Sequence, residues 1–395
     1  MQISTDKRKI DQILSRGVED VIEKESLKAK LESGKQLRVK LGFDPTGPNI
    51  HIGRAIVLRK LRAFQDLGHK VIFIVGDFTA QIGDPSDKLE KRPMLTAKQV
   101  KENIKTYKEQ VGKIIDLRKA EFRFNSKWLK KLKLAELMQL QESFTVGQML
   151  ARRNFKERFE KGQEISTREF SYPLMQGYDS VKVAADVELG GFDQLFNLTA
   201  GRTIQQHYKQ KPQDVLTTQM LEGTDGRKMS TSWGNVINIV DNPNDMFGKI
   251  MSLKDELIEK YFLLCTNLRD GEIKEISRDN NPKDQKMRLA FEIVEIYHGK
   301  DEAGKAKKEF ENIFSGGGKP EEIQEVKVSE EKMNLIDLLL MASLASSKSE
   351  ARRLIEQGGV RINDEKRTDP KGNVEITSGM IVQVGPRRFA KIVRN

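Results

Sequence analysis

Three short stretches of the chain carry residue types that could do chemistry. The first, Gly42-Phe43-Asp44-Pro45-Thr46-Gly47-Pro48-Asn49-Ile50-His51-Ile52-Gly53-Arg54, lies where an apolar run gives way to an amphipathic one. A helix starting there offers unpaired N–H donors and a partial positive charge, Gly53 lets a nucleotide approach the backbone, and His51 can donate to a phosphate oxygen. His-x-Gly recurs too often by chance to carry weight alone; the strand, proline-bearing turn and helix around it supply the weight. The second, Asp225-Gly226-Arg227-Lys228-Met229-Ser230-Thr231-Ser232-Trp233-Gly234-Asn235, mixes cations, hydroxyls and glycines. Such a loop can clamp a triphosphate, with Lys228 neutralising charge that grows on the bridging and leaving oxygens, which is electrostatic rather than acid–base work. In the third, Phe170 to Asp179, the side chains Tyr172, Gln176 and Asp179 fall at i, i+4 and i+7. On a helix beginning near Pro173 they share one face, and proline is tolerated in that first turn.

These stretches must be held by a scaffold, and the hydrophobic pattern supplies one. Leu37 to Gly42, Ala55 to Leu67, Val71 to Val75 and Thr96 to Ile115 read as strand, helix, strand, helix. Such alternation predicts an α/β fold with a parallel sheet, whose ligands sit beyond the carboxyl ends of the strands. Val57, Leu58, Leu61, Phe64 and Leu67 recur at helical spacing as core, with Gly68 placed for a helix end. The charged stretch from about 121 to 167 reads as a helical insertion, after which strands resume near Val183 to Leu189 and Asp214 to Thr218.

Further organisation follows from composition. The predicted catalytic domain covers 1–235, an α-helical domain 236–318, and a small α+β module 333–395, with Ser315, the three glycines Gly316 to Gly318, Lys319 and Pro320 as linker. In the module, Leu335 to Leu344 and Ser349 to Gln357 read as helices before a strand-rich tail. It holds 11 Lys or Arg against 7 Asp or Glu, and Arg352, Arg353, Arg361, Lys366 and Arg367 cluster into a candidate RNA-binding face. The whole chain carries 69 Lys and Arg against 58 Asp and Glu, a net +11 that suits a polyanionic partner. The single Cys265 excludes an intrachain disulfide and any multi-cysteine zinc site. No apolar run suggests a membrane span or a secretory leader, so a cytoplasmic location is expected, without a membrane partner.

Taken together, the first two stretches resemble the HIGH and KMSKS signatures of class I aminoacyl-tRNA synthetases, a pairing far more specific than either half. The third looks like the tyrosine-binding helix of bacterial tyrosyl-tRNA synthetases. The resemblance continues through Ile82-Gly83-Asp84-Pro85-Ser86 with Lys88 and Arg92, through Asn125 before Trp128, and through Gly190-Gly191-Phe192-Asp193-Gln194. The C-terminal 60 or so residues look like the family's appended module shared with a small-subunit ribosomal protein.

What the resemblance implies is a Rossmann-type catalytic domain that joins L-tyrosine to ATP and passes the tyrosyl group to tRNA(Tyr), with Mg²⁺ accompanying ATP, no metal held by the protein itself, and a homodimer. It implies an ATP site at Gly42, Asp44, His51, Gly53, Arg54, Gly191, Asp193, Lys228 and Thr231, and a catalytic set of His51, Lys228, Thr46, Lys88 and Arg92. Tyrosine would be held by Lys40, Asp84, Asn125, Tyr172, Gln176, Asp179 and Gln194, with Asp179 accepting from the phenol and Tyr172, Gln176 and Asp84 near the α-amino group. The helical domain would bind the anticodon.

Three positions depart from the family pattern. Arg54 stands where a second histidine is usual, Thr231 where a second lysine is usual, and Lys40 where many tyrosyl enzymes carry a tyrosine. Lys40 is expected either to pair with a pocket carboxylate such as Asp179 or to point away. Three alternatives accompany the tyrosine reading: a tryptophanyl-tRNA synthetase, which would not need the Tyr172, Gln176, Asp179 face; a synthetase-like RNA-binding protein that lost activity through Arg54 and Thr231; and another nucleotidyltransferase of the same superfamily acting on a small acid, against which the helical region from Asp245 and the basic tail weigh.

Overall fold

The computed structural model describes residues 3–86, 94–278, 281–315, 323–345, 347–385 and 388–394. The chain forms two compact units, Met1–Asn242 with Lys249–Tyr297, and Pro243–Gly248 with His298–Asn395. The helical stretch expected at 236–318 is therefore divided between them.

The first unit is built on a six-stranded sheet of β1 (Val18–Ile22), β2 (Arg38–Phe43), β3 (Lys70–Val75), β4 (Glu121–Phe124), β5 (Val187–Gly191) and β6 (Asp214–Thr218), in the order β1-β6-β5-β2-β3-β4. All neighbours are parallel except β1, which runs antiparallel to β6. The chain builds outward from β2 through β3 to β4, then returns to the other side of β2 with β5. That reversal opens a crevice beyond the carboxyl ends of β2 and β5, where α/β sheets bind ligands.

The helix Ile52–Asp66 follows β2 and buries Ala55, Ile56, Val57, Leu58, Leu61 and Phe64 against the sheet. Each large side chain so buried contributes roughly 1.5–3 kcal/mol, which holds the helix axis and hence its N-terminus in place. Gly68, at φ 94°, turns the chain out of it.

The helix carrying the third motif runs Thr167–Val183, so it starts a turn and a half before the expected position and has Pro173 inside it. Its start is set by a capping box, in which Ser166 and Glu169 satisfy each other's backbone N–H groups. Glu169 also pairs at 2.8 Å with the buried Arg158. This helix crosses the helix Leu195–His207 closely, because a Cβ on Gly177 would lie 2.8 Å from Ile204 Cγ1 and 3.2 Å from Gly201 Cα. Gly177→Ala would force the two helices apart.

Several local expectations need correction. The insertion begins after 124, because Glu121–Phe124 is an edge strand pairing with β3 through Ile72 to Val75. Val183 closes a helix rather than opening a strand. Thr96 to Ile115 forms two helices, Ala97–Ile104 and Tyr107–Gly112. The helices Ser126–Leu129, Leu134–Gln141, Val146–Leu150 and Arg153–Glu160 make up the insertion. Leu129, Leu140 and Met149 pack from it onto Leu174, Met175 and Tyr178.

The second unit contains a five-stranded sheet of β7 (Gln324–Val328), β9 (Val360–Ile362), β10 (Glu365–Arg367), β12 (Ile381–Val384) and β13 (Arg388–Arg394), in the order β10-β9-β12-β13-β7. A second, two-stranded sheet pairs β8 (Lys332–Asn334) with β11 (Asn373–Glu375). The module starts earlier than 333, since β7 pairs in parallel with β13. The helices Leu335–Met341 and Lys348–Glu356 cover it, with Leu338, Leu339, Ala351, Ile355, Val360, Val382 and Ile392 in one core. Arg352, Arg353, Arg361, Lys366 and Arg367 are all exposed.

Candidate active site

A cavity of 380 Å³ opens at the crevice beyond β2 and β5 and draws the three chemical stretches together. Gly42, Asp44, Thr46, His51, Gly53, Arg54, Asp84, Tyr172, Gln176, Gly191, Asp193, Gln194, Lys228 and Thr231 all line it. Lys88 and Arg92 lie outside the described residues.

Part of the lining is formed by the start of the Ile52–Asp66 helix and the loop after β6. His51 is the N-cap, and its Nδ1 accepts from the Arg54 N–H at 3.3 Å. That bond leaves the proton on Nε2, the tautomer that can donate to a ligand. Burial, reinforced by Arg54 and Lys228, pushes the imidazole pKa down to about 3, so it stays neutral near pH 7. A Cβ on Gly53 would lie 3.1 Å from His51 Nδ1 and 3.4 Å from Met229 Sδ, so glycine keeps the histidine undisturbed.

Arg54 donates to the Asp44 carbonyl (3.3 Å), Tyr107 Oη (3.2 Å) and Thr46 Oγ1 (3.1 Å). Its guanidinium is thereby anchored as a fixed cation. Lys228 Nζ donates to Asp193 Oδ2 at 2.9 Å, so a bound triphosphate would compete with that carboxylate for the lysine. The loop carrying Lys228 is tied down by Asn235, which accepts from Ser230 N (2.8 Å) and donates to Asp225 (2.7 Å), and by Arg227 lying 4.8 Å from the Trp233 ring centroid.

From the helix Thr167–Val183, Tyr172 donates to Asp44 Oδ2 at 3.0 Å, while Thr79 Oγ1 donates to Asp44 Oδ1 at 2.7 Å. Gly76 makes the room, since a Cβ there would lie 1.9 Å from Asp44 Oδ1. Asp84 accepts from Gln194 Nε2 (2.7 Å), Asn197 Nδ2 (3.2 Å) and Ser86 Oγ (2.6 Å).

Three expected tyrosine contacts are absent from the cavity lining. Asp179, buried one turn beyond Gln176, accepts from Trp128 Nε1 at 2.7 Å and Asn125 Nδ2 at 3.2 Å. Burial raises its carboxyl pKa to about 6 against the opposing influence of Lys40, Trp128 and Asn125. Lys40 neither points away nor bonds to Asp179: it is fully buried and pairs at 2.9 Å with Glu188. Composition and spacing gave no role to Gly76, Thr79, Trp128, Glu188 or Asn197. Glu188 was the findable one, as a carboxylate on a buried central strand must have a partner.

Residues 32–315 match the family described as tRNA synthetases class I (W and Y), and residues 317–381 match the tyrosine–tRNA ligase SYY-like C-terminal domain. The tyrosine–tRNA ligase of Thermotoga maritima is 50% identical over 386 residues, covering 96% of each chain. The chain belongs to the tyrosyl-tRNA synthetase family. Another member, the tyrosine–tRNA ligase of Aquifex aeolicus, is 47% identical over 96% of this chain and 97% of its own. The Archaeoglobus fulgidus tyrosyl-tRNA synthetase, solved with L-tyrosine, shares the fold at a TM-score of 0.61 and 22% identity, covering 76% of this chain and 99% of its own. A tyrosyl-tRNA synthetase fold thus accounts for both the parallel sheet and the crevice, and the C-terminal match favours the tyrosyl over the tryptophanyl branch.

Proposed function

We propose that the chain activates L-tyrosine with ATP and transfers the tyrosyl group to the 3′ end of tRNA(Tyr). The observation that carries this reading is that His51, Arg54 and Lys228 line the same cavity as Tyr172 and Gln176, which brings a neutral phosphate donor and two cations to a helix suited to an aromatic amino acid. In the first step the tyrosine carboxylate attacks the α-phosphorus and pyrophosphate leaves. A tRNA ribose hydroxyl then attacks the tyrosyl carbonyl and AMP leaves. No side-chain nucleophile is needed, so the protein's contribution is alignment and charge stabilisation.

Neutral His51 offers Nε2–H to a phosphate oxygen, and Lys228, exchanging Asp193 for phosphate, offsets charge building on the leaving group. Asp193 is then released for the ribose, as the family resemblance implies. Asp84, Tyr172 and Gln176 surround the α-ammonium, and Asp179, held behind the cavity lining by Trp128 and Asn125, accepts from the phenol O–H when tyrosine reaches that depth. Mg²⁺ would accompany ATP, held mainly by phosphate oxygens and water.

The exposed cations Arg352, Arg353, Arg361, Lys366 and Arg367 supply an RNA face, and the helical stretch the anticodon contacts. A homodimer fits the exposure of Leu134 (71%), Val146 (65%) and Phe159 (64%) on the insertion. Among the described residues no helix is long and apolar enough to cross a membrane, and a tRNA partner suits the cytoplasm.

The test is ATP–pyrophosphate exchange with purified protein and tyrosine, tryptophan or phenylalanine, followed by charging of tRNA(Tyr). Exchange and charging with tyrosine alone are expected. Exchange with tryptophan would return the tryptophanyl reading; none with any amino acid would make Arg54 and Thr231 marks of a lost activity.

A further inference from the structure

Beneath the cavity, Lys40 on β2 and Glu188 on β5 are cross-strand neighbours in parallel register, both completely buried. Lys40 Nζ donates to Glu188 Oε1 (2.9 Å), the Gln176 backbone carbonyl (2.9 Å) and Ser180 Oγ (2.8 Å), which uses all three of its protons. Glu188 Oε1 also accepts from Gln176 Nε2 at 3.1 Å, and Oε2 accepts from Ser180 Oγ at 3.0 Å and from Gln213 Nε2. Gly201 leaves space for this cluster, since a Cβ there would lie 2.5 Å from Gln213 Nε2 and 3.2 Å from Glu188 Oε2.

A buried ion pair rarely adds stability beyond what apolar side chains of the same size would give, so its presence here calls for another role. Among these residues only Gln176 lines the cavity. Glu188 as a carboxylate can only accept, so it binds the NH₂ of the Gln176 amide and leaves the carbonyl oxygen for the cavity. That is the polarity an ammonium needs; an NH₂ turned inward would repel it. We propose that Lys40 and Glu188 are a positioning pair that fixes the Gln176 amide to receive the α-ammonium of the substrate. This rests on the reading of Gln176 as an amino-group contact, and assigns Lys40 to the amino end of the substrate instead of its phenol.

The experiment compares L-tyrosine with 3-(4-hydroxyphenyl)propionate, which keeps the phenol and carboxylate but lacks the ammonium. In the double variant Lys40→Met/Glu188→Met, the KM for tyrosine in exchange should rise on the order of tenfold. The inhibition constant of the analogue, the KM for ATP and kcat should stay within about twofold. Lys40 also acts on Asp179 electrostatically, but both compounds carry the phenol, so that effect cancels in their ratio.

Gln176→Ala serves as reference and should weaken tyrosine without weakening the analogue. If it leaves the ratio unchanged, Gln176 does not hold the ammonium and the site reading fails together with the proposal. If Gln176→Ala shifts the ratio and the double variant does not, the positioning pair alone is overturned. Should the double variant fail to unfold cooperatively, Lys40→Gln/Glu188→Gln repeats the test with neutral polar groups, because without the ammonium on the shared Oε1 position the amide at 188 can turn its own NH₂ toward Gln176. A shift in the same direction supports the pair, and an unchanged ratio overturns it.

Discussion

Around the helix that carries Tyr172 and Gln176, the groups behind the cavity lining stand on a helix and a central strand and are fixed by partners in the protein. Asp179 is held by Trp128 and Asn125, and Lys40 by Glu188, Ser180 and the Gln176 carbonyl. Among His51, Arg54 and Lys228, charge sits at a helix N-terminus and on a loop, and the Lys228–Asp193 pair is a quarter to a third exposed. The difference separates two tasks. Recognition of a particular side chain requires groups pre-set on rigid elements, because a buried acceptor left without its donor is costly. Stabilising a travelling negative charge requires cations that can exchange partners as the reaction proceeds.

Variants of the two groups should therefore fail in different ways. The largest effect belongs to Lys228→Ala, which should lower kcat for exchange by about 10² to 10³, while the tyrosine KM stays within roughly threefold. Next comes Asp179→Asn, which should lower kcat/KM for tyrosine by about 10- to 100-fold and leave phenylalanine unaffected.

The pH profile is the third test. With its pKa raised to about 6, Asp179 is an anion above that pH and becomes protonated below it. Tyrosine kcat/KM should therefore fall as pH drops through 6, approaching tenfold per pH unit, and that limb should vanish in Asp179→Asn. His51, held near 3, should give no limb between pH 5 and 8. The smallest effect concerns the second unit: Arg352→Glu with Arg353→Glu should raise the KM for tRNA by about three- to tenfold and weaken its salt dependence, with exchange unchanged.

Much of this organisation was legible in the sequence because it rests on local signals. The spacing of Tyr172, Gln176 and Asp179 survives as one helical face, and the Gly42 to Arg54 stretch does lie between a strand and a helix. The misreadings have identifiable causes. Pro173 drew the start of the pocket helix to itself, whereas Ser166-Thr167-Arg168-Glu169 is a capping box that outweighs the proline. Glu121–Phe124 alternates charged and aromatic residues over only four positions, and its pairing with β3 decides its conformation.

The role of Lys40 was not legible for a different reason. Its partner Glu188 lies 148 residues away, and only the parallel register of β2 and β5 brings them together. The Trp128 contact to Asp179 is likewise a product of the insertion folding back onto the pocket helix.

Whether side-chain recognition and charge stabilisation rest on separate groups of residues is read from the ratio of kcat/KM for tyrosine to that for phenylalanine. It should be measured by exchange in the unaltered protein, Asp179→Asn and Lys228→Ala. The ratio is expected to fall by more than about tenfold in Asp179→Asn and to stay at the unaltered value in Lys228→Ala, although Lys228→Ala is the slower enzyme. An unchanged ratio in Asp179→Asn, or a ratio that collapses equally in Lys228→Ala, would show that the two tasks are not separated.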